Sequence, residues 1–345
     1  MKQELLPPFS HPLSAQLVDD DLGFLLDEAT MLDRRRFTYE LSNEPKKLLE
    51  GLNERFPRDP YIQRYRQELP LGPSGDRRQD VATSKMREEL RFLGRFEKPG
   101  VVVSDVEMSA KGMNGIAFCE GLQNPLIQKI LVSGALLENQ AIEALSEGKV
   151  HQVISKNTAD LAGAINAALD RAYWRYFTEL GKALYGAGSP YSPDSAALDP
   201  HCLKLLRQEM DRCSAVEHIM LDPRGTFALI DASGKTFLLF VRTGGQLRRD
   251  VELPQARSAD SAVLEDLRAC KRMVCHCDPD NTRLPEGSEW RGIARPIRLF
   301  QGNQPLYYTC IAVAEVRGID RKRLVPFGRY EQPQRATGYH EYRPR

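Results

Sequence analysis

The run Val101-Val102-Val103-Ser104-Asp105 is short, β-branched and apolar, and it ends on a carboxylate. A stretch of this kind bounded by turn residues reads as a buried strand. Three further runs share its form. Upstream, Leu17-Val18-Asp19-Asp20-Asp21 ends in three acids. Downstream, Ile130-Leu131-Val132-Ser133-Gly134 ends in a hydroxyl and a glycine, and Val150-His151-Gln152-Val153-Ile154-Ser155-Lys156 ends in a lysine. In an open parallel sheet the carboxyl ends of the strands form the ligand crevice. The acid pair, the lone carboxylate, the hydroxyl and the lysine are therefore expected to meet at one edge of a sheet.

Strand and helix alternate around these runs. A strand at 15–19 precedes a helix with Phe24, Leu25, Ala29 and Leu32 at helical spacing; Phe37–Leu41 is a short strand and Glu44–Leu52 a helix. After Gly100 come strand 101–105, helix 115–122, strand 128–133, helix 138–147, strand 150–155 and a helix from 158 onward. Such alternation argues for right-handed βαβ units around a parallel sheet. The last helix keeps Leu161, Ile165, Leu169, Tyr173, Phe177 and Leu180 on one face. Between Asn53 and Pro99 the chain is polar and turn-rich, with one helix predicted at Ser84–Leu93, and reads as an insertion. Beyond a Gly/Ser/Pro-rich linker the pattern becomes a helix at Asp199–Ala215, strands at His218–Leu221, Thr226–Ile230 and Thr236–Val241, a helix at Ala259–Lys271 and strands near Tyr307–Val316. The predicted plan is a loose lead at 1–12, an α/β domain at 13–184 carrying the insertion and an extended last helix, a linker at 185–198, an α+β domain at 199–330 and a basic tail at 331–345.

A chain of 345 residues is long enough for two cores. Its net charge of +1 excludes a protein that binds nucleic acid through its overall field. No apolar stretch is long enough to cross a bilayer and the N-terminus has no secretory pattern, so neither membrane nor export is expected. Seven cysteines give no disulfide framework and fit a reducing cytoplasm.

The four strand ends suit one chemistry. A carboxylate that attacks a phosphoryl group faces like-charge repulsion, which a divalent cation relieves by neutralising both partners. Mg2+ takes hard oxygen ligands, and Asp19 and Asp20 supply them beside Asp105. Lys156 offers a point charge for a phosphoryl oxygen and Ser133 a short hydroxyl, while Gly134 leaves room for the group to enter. Taken singly, each residue also has a plainer role: a strand-end aspartate caps the following helix, with Asp21 the favoured cap of the three acids, and a lone lysine is solvated.

With these strings in hand, and with Asp105-Val106-Glu107-Met108 and Met113-Asn114-Gly115, the segment of about residues 13–178 resembles the receiver domain of bacterial two-component response regulators. The resemblance implies a flavodoxin-like fold, a five-stranded parallel sheet of order 2-1-3-4-5. It implies a phosphoacceptor, with autophosphatase hydrolysis of its own acyl phosphate at most, rather than a classical enzyme. A histidine kinase or phosphotransfer protein would donate to Asp105. Mg2+ would be held by Asp20, Asp105 and the backbone carbonyl of Glu107, with Asp19 acting partly through water. Ser133 and Lys156 would then turn toward the phosphate. The sequence departs from the family at Ser109 and Asn157, where proline is usual, and at Val153, where an aromatic switch is usual; Ser109–Gly112 suggests a two-residue insertion. These departures leave open a second outcome, a scaffold whose receiver-like module no longer responds to phosphate.

The C-terminal half is less explicit. It lacks the pair of short helices of a helix-turn-helix, so a protein or small-ligand output is expected rather than a DNA groove. Cys270, Cys275, Cys277 and Cys310, with His276, raise a zinc reading, although Cys-X-Cys is poor spacing for it. Tyr173, Trp174, Tyr176 and Phe177 are expected to pack the last receiver helix against its own domain or against a second copy in a homodimer.

Overall fold

The computed structural model describes residues 6–56, 90–91, 93–108, 112–134, 138–185, 189–276, 285–314, 316, 319 and 322–330. Most of the sequence-defined insertion, including most of the helix predicted at Ser84–Leu93, lies outside them, as do Ser109, Cys277 and the tail at 331–345. The described residues divide into two units, one within His11–Leu69 and Leu93–Leu184 with Tyr330, the other within Met1–Ser10, Pro70–Phe92 and Tyr185–Arg329.

The chain's first strand, β1 (Phe9–Ser10), belongs to the second unit. The first unit then runs β2 (Leu13–Val18), α1 (Leu22–Met31), β3 (Phe37–Ser42), α2 (Pro45–Arg55), β4 (Pro99–Asp105), α3 (Gly115–Gly121), β5 (Gln128–Ser133), α4 (Glu138–Ser146), β6 (Gln152–Ser155) and α5 (Leu161–Tyr185). Its five strands lie in the order β3-β2-β4-β5-β6, every pair parallel. Numbered within the unit this is 2-1-3-4-5, the order expected. The valines of β4 are buried because the sheet is covered on both sides. Val18, Val102 and Leu131 share one core with Leu48 and Leu52 of α2, Phe118 and Cys119 of α3, and Ala141 and Ala144 of α4. Val101 and Val103 alternate with Val102 and so point to the other face. The segment after α1 is tied to α5 by Asp33 N donating to Asn166 Oδ1 at 2.8 Å and by the Arg36–Asp170 ion pair at 2.9 Å.

Helix α5 has 25 residues. Its aromatic face turns inward: Tyr173 meets Phe37, Phe177 meets His11, and the Arg36 guanidinium lies over Tyr173 and Trp174. Tyr173, Trp174, Tyr176 and Phe177 are all buried within the single chain, which is the first of the two packing outcomes expected for them. The exposed stripe of the helix carries Ala167, Arg171, Arg175 and Lys182 instead.

The second unit holds α6 (Cys202–Arg212), β7 (Ala215–Asp222), β8 (Thr226–Asp231), β9 (Thr236–Thr243), α7 (Gly244–Arg249), α8 (Glu252–Ala256), α9 (Ser261–Arg268), β10 (Arg272–Val274), α10 (Glu289–Ile293), β11 (Ala294–Pro296), β12 (Arg298–Gln301) and β13 (Pro305–Val313). Six strands form an antiparallel sheet in the order β1-β7-β8-β9-β13-β12, and β10 pairs β11 separately. The β7–β8 hairpin turns at Gly225, whose φ of 109° suits only glycine. A small core gathers Val251, Val263, Leu267 and Trp290. The lead at 1–12 is not loose throughout: Phe9 and Ser10 pair with Ile219 and His218, and Ser10 Oγ lies 2.6 Å from His218 Nδ1. No helix among the described residues is long and apolar enough to cross a membrane.

Candidate functional site

Strands β2 and β4 are neighbours in the middle of the sheet, in register from Ala15 opposite Val101 to Val18 opposite Ser104. Asp19 and Asp105 therefore leave the sheet side by side. Asp105 pairs with Val132 and Ser133 with Ser155, which brings Ser133 and Lys156 to the same end. The Lys156 amide donates to the Ser133 carbonyl at 2.8 Å, so the serine and the lysine are fixed to one another through the backbone.

One carboxylate oxygen from each of Asp19, Asp20 and Asp105 lies within 4.8 Å of the other two. Lys156 Nζ reaches between them, 3.0 Å from Asp105 Oδ1 and 3.3 Å from Asp19 Oδ2. The ammonium also sits 4.3 Å from the centroid of the Phe24 ring, a cation–π contact that holds it over the acids. Asp19 and Asp105 are buried, whereas Lys156 is half-buried.

Burial pushes the Asp19 carboxyl above the usual aspartate range; the Asp21 amide and Lys156 pull it back, and the neighbouring Asp105 charge pushes it further up. For Lys156 burial works against the charge, but Asp105 and Asp19 outweigh it and hold the ammonium above its ordinary range. The lysine is thus a fixed cation at neutral pH. Asp105 Oδ1 is buried and accepts no well-formed hydrogen bond among the described residues, with the Lys156 ammonium as its ion-pair partner. A buried carboxylate oxygen short of donors, beside two further carboxylates, fits a hard oxygen-seeking dication such as Mg2+.

Helix capping falls to other residues. Asp21 accepts from Gly23 N at 2.8 Å and Phe24 N at 3.2 Å and caps α1. Asn114 caps α3 by accepting from Ala117 N at 2.8 Å, so Asp105 is not the cap of the helix that follows its strand. The Glu107 side chain is exposed and stands outside the acid group. Ser133 Oγ is buried and donates to the Gly134 carbonyl at 3.0 Å. The Cβ side of Gly134 is open, with no heavy atom beyond its chain neighbours within 4 Å among the described residues.

Gly115, quoted from the sequence only as part of the Met113-Asn114-Gly115 string, has a packing role that the sequence did not declare. A Cβ there would lie 2.0 Å from the Asp105 carbonyl oxygen, so the first turn of α3 packs directly under the acid-bearing strand end. The expected cysteine cluster divides. Cys270 and Cys275 flank β10, and neither joins a group of three metal-capable side chains among the described residues, whereas Cys310 does so with partners from elsewhere.

No protein-family model and no curated protein matches the chain. Among solved structures, the response regulator LqsR of Legionella pneumophila aligns with 95% of this chain and 96% of its own, at a TM-score of 0.77 and 23% identity. A response regulator receiver domain protein of Clostridium thermocellum covers 47% of this chain and 94% of its own at 14% identity and a TM-score of 0.31. The signal receiver domain of an HD domain-containing protein from Pseudomonas fluorescens Pf-5 covers 49% and 92% at 17% identity and a TM-score of 0.33. The likeness to LqsR spans both units, and with the parallel sheet of order 2-1-3-4-5 it shows that the chain shares the fold of that response regulator, a flavodoxin-like α/β unit and an α+β unit.

Proposed function

We propose that the chain is the phosphate-accepting response regulator of a two-component phosphorelay, working in the cytoplasm. The observation that carries this is the convergence of Asp19, Asp20 and Asp105 with Lys156 on one end of the parallel sheet. A histidine kinase or phosphotransfer protein presents a phosphohistidine there. An Asp105 oxygen attacks phosphorus, a P–O bond forms, and the P–N bond breaks with its electron pair returning to the imidazole, which takes up a proton. Lys156 first offsets the Asp105 charge and then that of a phosphoryl oxygen. Ser133 donates to another phosphoryl oxygen after its Oγ leaves the Gly134 carbonyl. Asp20, Asp105 and the Glu107 carbonyl would hold Mg2+, with Asp19 partly through water; when bound, the ion neutralises the carboxylates and the incoming phosphoryl group. The extended α5 then biases the α+β unit, whose target is a protein or small ligand, with dimerisation as one output.

Incubating the full chain with Mg2+ and acetyl phosphate tests the assignment. One phosphoryl group is expected on the wild type and none on Asp105→Asn. Labelling that persists in that variant overturns it.

A second reading, the phosphate-insensitive scaffold, is favoured by Val153. This aliphatic side chain on β6 is half-buried against the sheet core, where it has no aromatic ring to swing between two positions.

A further inference from the structure

Glu209 and Cys213 stand one helical turn apart at the C-terminal end of α6, facing Cys310 on β13. A carboxylate oxygen and the two sulfurs all lie within 4.8 Å of one another. We propose that these three side chains form a second metal site, taking a thiophilic divalent cation of the zinc class. The site is independent of the receiver chemistry, both in its residues and in the kind of ion it selects.

The sulfur separation is the first support. Cys213 Sγ and Cys310 Sγ are 3.8 Å apart. Two thiolates bound at about 2.3 Å to one tetrahedral Zn2+ sit about 3.8 Å from each other. The two free thiols, in contact as a hydrogen-bonded pair, thus already have the separation that one shared ion requires. The carboxylate is the second support. Glu209 is buried, and its Oε2 accepts from Arg212 Nε at 2.9 Å and Nη2 at 2.6 Å. Both of these bonds fall on Oε2. A ligating carboxylate oriented by an outer hydrogen bond on one oxygen, with the other left for the ion, is the usual arrangement around protein metals.

Charge is the third. Two thiolates and a carboxylate carry three negative charges, which a dication and the Arg212 guanidinium balance. Thiols are protonated at neutral pH, so each ion bound replaces two thiol protons, which are released to solvent. Cys310 is half-buried, which lets a water supply the fourth ligand. Of the cysteines in the zinc expectation drawn from the sequence, this proposal keeps Cys310 alone. Its partner, Cys213, lies 97 residues away, where spacing offers no signal.

The test is a titration of the full chain, purified under reducing conditions and stripped with a chelator. With Co2+ as probe, one equivalent is expected to bind with a near-ultraviolet thiolate-to-metal charge-transfer band, and Zn2+ to displace it. Glu209→Gln should weaken binding by about tenfold or more. Cys310→Ser and Cys213→Ser should each abolish the band, while Cys270→Ser and Asp105→Asn leave it intact. Far-ultraviolet circular dichroism identifies any variant that fails to fold; Cys310→Ser, at a half-buried position, and Glu209→Gln then carry the test. The proposal is overturned if the wild type shows no such band, if the band survives in Cys310→Ser, or if Cys213 and Cys310 are recovered as a disulfide from the reductant-treated protein.

Discussion

Asp19 is held as an anion in a place that disfavours its charge. Its raised pKa means that the folded state binds a proton more readily than the unfolded chain does. The sign follows. A group with a raised folded pKa stabilises the fold while it is protonated, and that contribution is lost as pH rises through the folded value. At neutral pH the Asp19 charge is therefore a net cost, retained at the acid pocket beside Asp105. Asp19→Asn keeps the acceptor for the Asp21 amide, now 2.8 Å from Asp19 Oδ1, and removes the charge. It should raise stability at neutral pH by roughly 0.5–2 kcal/mol while weakening Mg2+ binding. Thermal unfolding from neutral pH down to about pH 4 should show the advantage shrinking as wild-type Asp19 becomes protonated. An advantage that stays constant across that range would mean that charge is not its origin. Asp19, Asp20, Asp105 and Lys156 were legible from the sequence because a strand's last residue is fixed by where its apolar run stops. The packing role of Gly115 was not, since nothing in a sequence reports which backbone atom a missing Cβ would strike. Nor was the direction of the Ser133 hydroxyl, which depends on a neighbouring carbonyl.

At the scale of elements, the contact between α3 and β4 decides how accurately Asp105 is placed. Alanine at position 115 would improve helix propensity by about 1 kcal/mol at most. Against that, its Cβ would meet the Asp105 carbonyl oxygen at 2.0 Å and Ser104 Oγ at 2.9 Å, and backbone cannot yield as a flexible side chain does. Overpacking of this kind costs about 1–3 kcal/mol, so Gly115→Ala should be destabilising in spite of the propensity. A lower urea midpoint with an unchanged slope is the expected result, together with slower phosphorylation from acetyl phosphate. A higher midpoint would show that α3 can move away from the strand freely. The longer elements were plain in the sequence: the valine run of β4 is continuous and β-branched, and the inward face of α5 repeats its period several times. β1 could not be seen, because two residues carry no period and its partner β7 lies some two hundred positions further on. Element ends also moved, as at α6, predicted for Asp199–Ala215 and found at Cys202–Arg212. There Asp199 is drawn out of the helix, accepting from the amides of His201 and Asn303.

For the whole molecule the question is whether the phosphate proposed for Asp105 would be felt beyond the first unit. The covalent route is short at one end and long at the other. Helix α5 begins at Leu161, just after the Lys156 turn, and at about 1.5 Å per residue its 25 residues extend about 37 Å to Tyr185, where the second unit takes over. Its aromatic face is buried, so a change in its packing must alter how readily its amides open. In a switching protein, Mg2+ with beryllofluoride should change hydrogen exchange in α4 and in α5 by about tenfold, equivalent to about 1.4 kcal/mol. The same addition to Asp105→Asn should change neither. Val153 argues for the opposite result, because a half-buried aliphatic side chain cannot relay by swinging. If the mimic forms a stable complex with the wild type and the α5 amides exchange as before, the receiver accepts phosphate without transmitting it, and the scaffold reading prevails. Slowed exchange in α5 that depends on Asp105 would instead place the relay in the helix itself and leave Val153 a packing residue.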